Sequence, residues 1–332
     1  MKNLAVLGMI LALLLVFGCI SDVGTNPDLA TNQVTQSSST PLGKTPGLPD
    51  ENCEQPQYYS FSETDDWNEG MLNLIKIDTR TGSAKTIWKL GIPSFDPVTG
   101  EPLSPFGLTF DVDGTMYTII DWLGDFTEGS QKSRLARVDL KTGAVTFIGD
   151  FIHLSFAGPE MDTRGNIYAT SFTVGDPATG GIPPYIWGDN CLYRFNKRTG
   201  AATRIGNTGR GDWMDLAFDS KGNLWATTKN KLFILSTRTG AATFVKDIKG
   251  VPNTDQHIAG IPPEDWPYME VMSIAFDEHD VLWATAMRGF SPVLGNGLVL
   301  KIDVKSGQAH IVGYTGKSYN HGGDILFAKD KW

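Results

Sequence analysis

"DTRTGSA" at residues 78–84 is a phrase the chain keeps repeating: "DLKTGAV" at 139–145, "NKRTGAA" at 196–202, "STRTGAA" at 236–242 and "DVKSGQA" at 303–309. Self-similarity at intervals of tens of residues is the signature of a repeat architecture. Each copy runs from a polar residue to Ser or Thr and then Gly. Asp, Asn or Ser at a turn start accepts from the following backbone, and Gly supplies the positive φ of a tight turn. The flanks alternate apolar and polar with period two, as in "LNLIKI" before the first turn and "AKTIW" after it. Each copy therefore predicts a β-hairpin.

A second hairpin precedes four of these: "GLTFDVDGTMYTII" from 107, "PEMDTRGNIYATSF" from 159, "DLAFDSKGNLWATT" from 215 and "SIAFDEHDVLWATA" from 273. Each unit reads as four strands, a to d, and serial four-stranded units predict a β-propeller. The first unit lacks strand a. The C-terminal "GGDILFAKDKW" supplies one, with Asp324 aligned on Asp215. The ring is thus expected to close through its C-terminus, which removes exposed sheet edges. The turn glycines Gly82, Gly143, Gly200, Gly240 and Gly307 lie 61, 57, 40 and 67 residues apart. No interval holds two blades of roughly 40 residues. The expectation is an all-β, five-bladed β-propeller of four-stranded antiparallel blades over residues 55–332. A sixth blade would have to come from the region before residue 56, whose composition argues against it.

The start, "MKNLAVLGMILALLLVFGC", has the layout of a secretory signal over residues 1–18, with Cys19 as the lipidated residue of a lipobox-like end. The alternative is a transmembrane anchor from Leu4 to Ile20. Residues 19–54 then carry the lipid attachment site and a Ser/Thr/Pro-rich disordered tether, too poor in apolar residues to fold. Both readings give a membrane-anchored, extracytoplasmic protein, at the cell surface or in the periplasm. Cys53 and Cys191 permit a disulfide in such a compartment, and two separate thiols is the other reading. The net charge is −9 and no basic tract occurs, which speaks against nucleic acid as a partner.

The a–b and c–d turns are short and uniform, whereas the b–c and d–a connections vary widely. In a propeller the variable connections share one face, and function tends to live on loops held by a rigid frame. Trp67, Trp122, Trp187, Trp213, Trp266 and Tyr268 fall in them. They suit a recognition surface, or else the long loops pack on themselves. Trp213 beside Asp215 is the sharpest pair, with a sugar-like ring stacked on the indole and bonded to the carboxylate. Trp225 and Trp283, at one strand-b position with Tyr117 and Tyr168, read as packing residues. Glu63, Asp121, Asp215 and Asp324 are expected near the inner rim on the variable face, with His321 close in sequence to Asp324. Carboxylates gathered there would bind a divalent metal such as calcium or do acid–base work, or else cap loop backbone and neighbouring Arg. There is no nucleophile elbow, His-Glu-x-x-His, phosphate loop or Cys-x-x-Cys.

The combined phrase "AFDSKGNLWATT…LFILSTRTGAATFV" resembles the propeller superfamily of YVTN-type, NHL-type and SMP-30-like lactonase repeats. That resemblance implies the scaffold, since the superfamily holds binding proteins, lactonases and lyases alike. The metal and general-base residues of the SMP-30-like enzymes have no identifiable counterparts. The first functional expectation is a surface-anchored, monomeric binding module for a small polar ligand, a glycan or an extracytoplasmic protein. The second is an extracytoplasmic, lactonase-like hydrolase or lyase using the rim carboxylates.

Overall fold

Among the described residues, twenty strands fall into five four-stranded antiparallel sheets, the blades of a β-propeller. The computed structural model describes residues 56–63, 71–93, 96, 98–100, 103–122, 131–171, 189–251, 269–288, 297–317 and 320–326. Blade 1 runs outward from β20 (Asn320–Leu326) through β1 (Gln57–Glu63) and β2 (Met71–Asp78) to β3 (Ala84–Pro93). Blade 2 is β4 (Leu103–Phe110), β5 (Met116–Trp122), β6 (Lys132–Val138) and β7 (Val145–Ile152). Blade 3 is β8 (Phe156–Met161), β9 (Asn166–Ser171), β10 (Cys191–Asn196) and β11 (Ala202–Asn207). Blade 4 is β12 (Asp215–Phe218), β13 (Leu224–Thr228), β14 (Lys231–Leu235) and β15 (Ala242–Asp247). Blade 5 is β16 (Met269–Phe276), β17 (Leu282–Arg288), β18 (Leu298–Asp303) and β19 (Gln308–Tyr314).

The closing strand is where the sequence placed it. β20 pairs antiparallel with β1, Tyr58 opposite Ile325 and Tyr59 opposite Asp324. The last strand of the chain therefore completes the first blade, and neither end of the ring is left as an open edge.

Each repeated residue has a local job. In the c–d turns the first residue caps the turn: Asp78 Oδ1 accepts from Arg80 N at 2.8 Å, Asp139 Oδ1 from Lys141 N at 2.7 Å and Asn196 Oδ1 from Arg198 N at 2.9 Å. The turn glycine has a positive φ and lies against strand d of the preceding blade. Gly240 sits on Gly206, and Gly82 of blade 1 sits on Gly313 of blade 5. A Cβ on either partner would overlap the neighbouring backbone, which explains why these d strands end "RIG" and "IVG".

In the a–b turns Asp219 Oδ1 caps Lys221 N and Asn223 N while its Oδ2 accepts from Trp225 Nε1 at 3.0 Å. Asp277 repeats the arrangement with Trp283 Nε1 at 2.9 Å. The strand-b aromatic then meets the last residue of strand a in the next blade: Tyr59 with Phe110, Tyr168 with Phe218 and Trp225 with Phe276. The apolar core is accordingly five clusters, one in each seam between neighbouring blades. Burial there is the main cohesive force of the ring.

Candidate functional site at the axis

The innermost strands pair on one edge only, so the N–H groups of the other edge need acceptors. Four side chains supply them, each reaching into the neighbouring blade. Asp324 Oδ2 of blade 1 accepts from Phe110 N of blade 2 at 3.0 Å. Thr109 Oγ1 of blade 2 accepts from Met161 N of blade 3 at 3.0 Å. Glu160 Oε1 of blade 3 accepts from Phe218 N of blade 4 at 3.0 Å. Asp215 Oδ2 of blade 4 accepts from Ile274 N of blade 5 at 2.9 Å, and from Gly323 N of blade 1 at 3.4 Å. Ser273 Oγ of blade 5 bonds Tyr58 Oη of blade 1 at 2.6 Å and closes the circuit.

Five blades leave a narrow axis. Gly107 approaches Gly158 and Gly322 so closely that a side chain at any of them would collide with a neighbouring inner strand. Asp215, Glu160 and Asp324 are buried as a result. Among the described residues none of the three forms an ion pair. Burial pushes the carboxyls of Glu160 and Asp215 well above the usual range, with the charge of Asp324 adding to it. Burial raises Asp324 to about 6. The Thr109 hydroxyl stands 3.2 Å from Glu160 Oε2 and 3.1 Å from Asp324 Oδ2, so one proton serves two carboxyls. Asp215 Oδ1 is buried without a hydrogen-bond partner. Among the described residues no three His, Cys, Asp or Glu side chains gather closely enough to hold a metal ion.

Asp215 and Asp324 thus come together on the inner strands, buried in the ring rather than open at a mouth. Asp121 stands apart from them. It is fully buried at the end of β5, where Oδ2 accepts from Phe156 N of blade 3 at 3.2 Å, and burial raises its carboxyl too. Glu63 ends β1 opposite Leu72, and His321 lies on β20 opposite Phe61.

Two tryptophans differ from the sequence expectation. Trp213 is 0% exposed: its edge meets Phe233 at 5.1 Å, Arg210 lies over its face, and Nε1 donates to Thr208 Oγ1 at 2.9 Å. It fills the seam between blades 3 and 4, and no ring face is left for a stacked sugar. Trp122 is the last residue of β5, buried under Phe147 and Phe151 with Nε1 bonded to Asp96 Oδ2 at 2.7 Å. Trp67, Trp187, Trp266, Tyr268, Cys19 and Cys53 lie outside the described residues, while Cys191 Sγ donates to the Asp189 carbonyl at 3.1 Å.

Glu160 and Thr109 are the site residues that sequence reasoning missed. Both stand two residues after the first position of the strand-a phrase, in "GPEM" and "GLTF". The period-two rule puts that third position on the same strand face as Asp215 and Asp324.

No family profile and no curated protein matches the chain. Among solved structures, virginiamycin B lyase from Staphylococcus aureus is 16% identical over 77% of this chain and 69% of its own, with a TM-score of 0.37. A nidogen/laminin complex gives 14% identity over 82% and 99%, with a TM-score of 0.45. TolB from Acinetobacter baumannii gives 11% over 81% and 66%, with a TM-score of 0.40. The class rests on the sheets themselves: this is a five-bladed β-propeller.

Proposed function

We propose that the chain is a membrane-anchored, extracytoplasmic propeller that binds a small polar ligand on its axis, at the buried carboxyls of the inner strands. The observation that carries this reading is Asp215. Its Oδ1 is buried and unpartnered, beside two further buried carboxyls that make no ion pair among the described residues. A buried polar atom left without a partner typically costs about 1–3 kcal/mol, and a ligand that donates to it would relieve that penalty. A protonated amine or a cluster of sugar hydroxyls has the required chemistry. Calcium is the inorganic alternative. The signal-like residues 1–18 and Cys19 support the location.

A lactonase-like hydrolysis or a lyase reaction is the second reading. It is favoured by Asp324, raised to about 6 and sharing the Thr109 hydroxyl with Glu160. A carboxyl poised near neutrality suits general acid–base work.

Calorimetric titration of the detergent-extracted full chain with amines, amino sugars, neutral glycans and calcium chloride tests the first reading. A ligand should emerge whose affinity falls at least about tenfold in Asp215→Asn, the loss of one charge-assisted hydrogen bond. Equal binding by both proteins would refute the assignment.

A further inference from the structure

The far side of the ring, built from the short turns, carries a second feature. A pocket of about 510 Å³ opens on blade 3, lined by Arg164, Arg194, Lys197 and Arg198 together with Phe195 and Thr203. Its volume falls within the range of roughly 300–1,000 Å³ typical of small-molecule sites. Four cations line it in a chain whose net charge is −9.

Cations recur at this turn in the other blades, as Arg80, Lys141, Arg238 and Lys305 at the position of Arg198; what blade 3 lacks is the acid that accompanies them in blades 1, 2 and 5. In blade 1 the turn begins with Asp78, which caps the backbone and also pairs with Arg80 at 3.5 Å. Blades 2 and 5 begin theirs with Asp139 and Asp303. Blade 3 begins with Asn196, which caps Arg198 N and Thr199 N through Oδ1 just as well. The cap is kept and its negative charge is removed. Blade 3 also adds Arg164, where blade 2 has Asp113, and Lys197, where blade 1 has Thr79. Lys197 is committed to Asp111, and Arg164 leans on Asp162 at 3.3 Å while 78% of its side chain stays exposed. Among the described residues, no ion pair or side-chain hydrogen bond is made by the guanidinium of Arg194 or of Arg198. Arg194 is held in place by its strand, between Tyr168 and Thr203.

We propose that this pocket binds a phosphate or phosphomonoester group. Planar guanidinium forks match tetrahedral oxyanions with paired, charge-assisted hydrogen bonds, and three of them around one cavity favour a doubly charged anion over a monovalent one. The site on the axis and the pocket on blade 3 are independent, so neither assignment rests on the other.

The test is titration of the full chain with inorganic phosphate against chloride at matched ionic strength, read by backbone amide shifts and by thermal shift. Saturable binding at about 1 mM or tighter in low salt, with shifts centred on residues 194–203, is expected and should weaken as salt screens the site. Arg194→Gln with Arg198→Gln should weaken it at least tenfold, whereas Arg238→Gln, at the equivalent turn of blade 4, should leave it unchanged. Vesicles of phosphatidylcholine with and without phosphatidic acid identify the source. Phosphate-competed binding to the acidic vesicles marks a lipid headgroup, and binding of free phosphate alone marks a soluble ligand. Identical responses to phosphate and chloride, or an equal loss in Arg238→Gln, would overturn the proposal.

Discussion

The inner and outer rings of contacts perform one task with different chemistry. Both join each blade to the next. On the outside the joint at three of the five seams is backbone against backbone, a turn glycine laid on a glycine of the neighbouring d strand, as at Gly240 on Gly206. On the inside it is a side chain accepting a backbone N–H, at Asp324, Thr109, Glu160 and Asp215, with the Ser273–Tyr58 hydroxyl pair completing the ring. A backbone joint admits almost one residue type, so the sequence repeats there. A side-chain joint admits any acceptor, so the sequence varies there. Ser and Thr would serve without a charge. Three carboxyls, buried without ion pairs among the described residues and with raised pKa values, are more than the joint requires.

The comparison is broken most severely by opening the ring. Ending the chain after Lys317 removes β20, and with it the partner of β1 and the core residue Ile325. A loss of cooperative melting by circular dichroism is expected, with aggregation through the freed edge. An unchanged melting temperature would show that β20 does not close the structure.

Gly240→Val attacks the outer ring alone. It forces a β-branched residue to a positive φ and drives its Cβ into the Gly206 carbonyl. Urea unfolding should show a loss of about 3 kcal/mol or more. Thr109→Val attacks the inner ring and should lose about 1–3 kcal/mol, the range for a buried polar atom left without its partner. The reverse order would mean that the inner ring carries the structure.

The inner carboxyls also set a pH dependence. An acid whose folded pKa is raised binds its proton more tightly in the folded state. Its contribution is fully present below the unfolded value and is lost as pH rises through the folded one. For Asp324 that window runs from about 4 to about 6. The turn carboxylates Asp78, Asp162, Asp219 and Asp303 are lowered by the backbone N–H groups and side chains they cap, so they act oppositely and lose their contribution below about pH 4. The melting temperature should therefore peak between about pH 4 and 6 and fall toward pH 8. A maximum above pH 7 would contradict the assignment of raised values.

The smallest effect belongs to the outer caps. Asp78→Asn should change stability by no more than about 0.5 kcal/mol, because Asn196 performs the same cap in blade 3.

The fold was legible because its rules are local and copied five times. Gly at a positive φ, Asp at a turn start and an aromatic two-thirds of the way through the a–b hairpin each leave one residue type in the string. The site was legible only in part. Asp215 and Asp324 stood out against Gly107, Gly158 and Ser273 at the same position. Glu160 did not, because it lies one pleat further along β8, where the equivalent residues Ala217 and Ala275 are apolar. Trp213 was misplaced for a reason that spacing cannot reveal: Arg210 and Phe233 fold over the indole and take it out of the axis.

The central claim is that the inner carboxyls are kept at the expense of stability. Urea unfolding of Glu160→Gln at pH 7.5 and pH 4.5 tests it directly. Gln preserves the acceptor for Phe218 N, frees the Thr109 proton for Asp324 and removes the buried charge. The expected result is a variant more stable than the parent at pH 7.5, with the gain shrinking at pH 4.5. A variant less stable at both pH values would show that the carboxylate is structural, and the claim would fail.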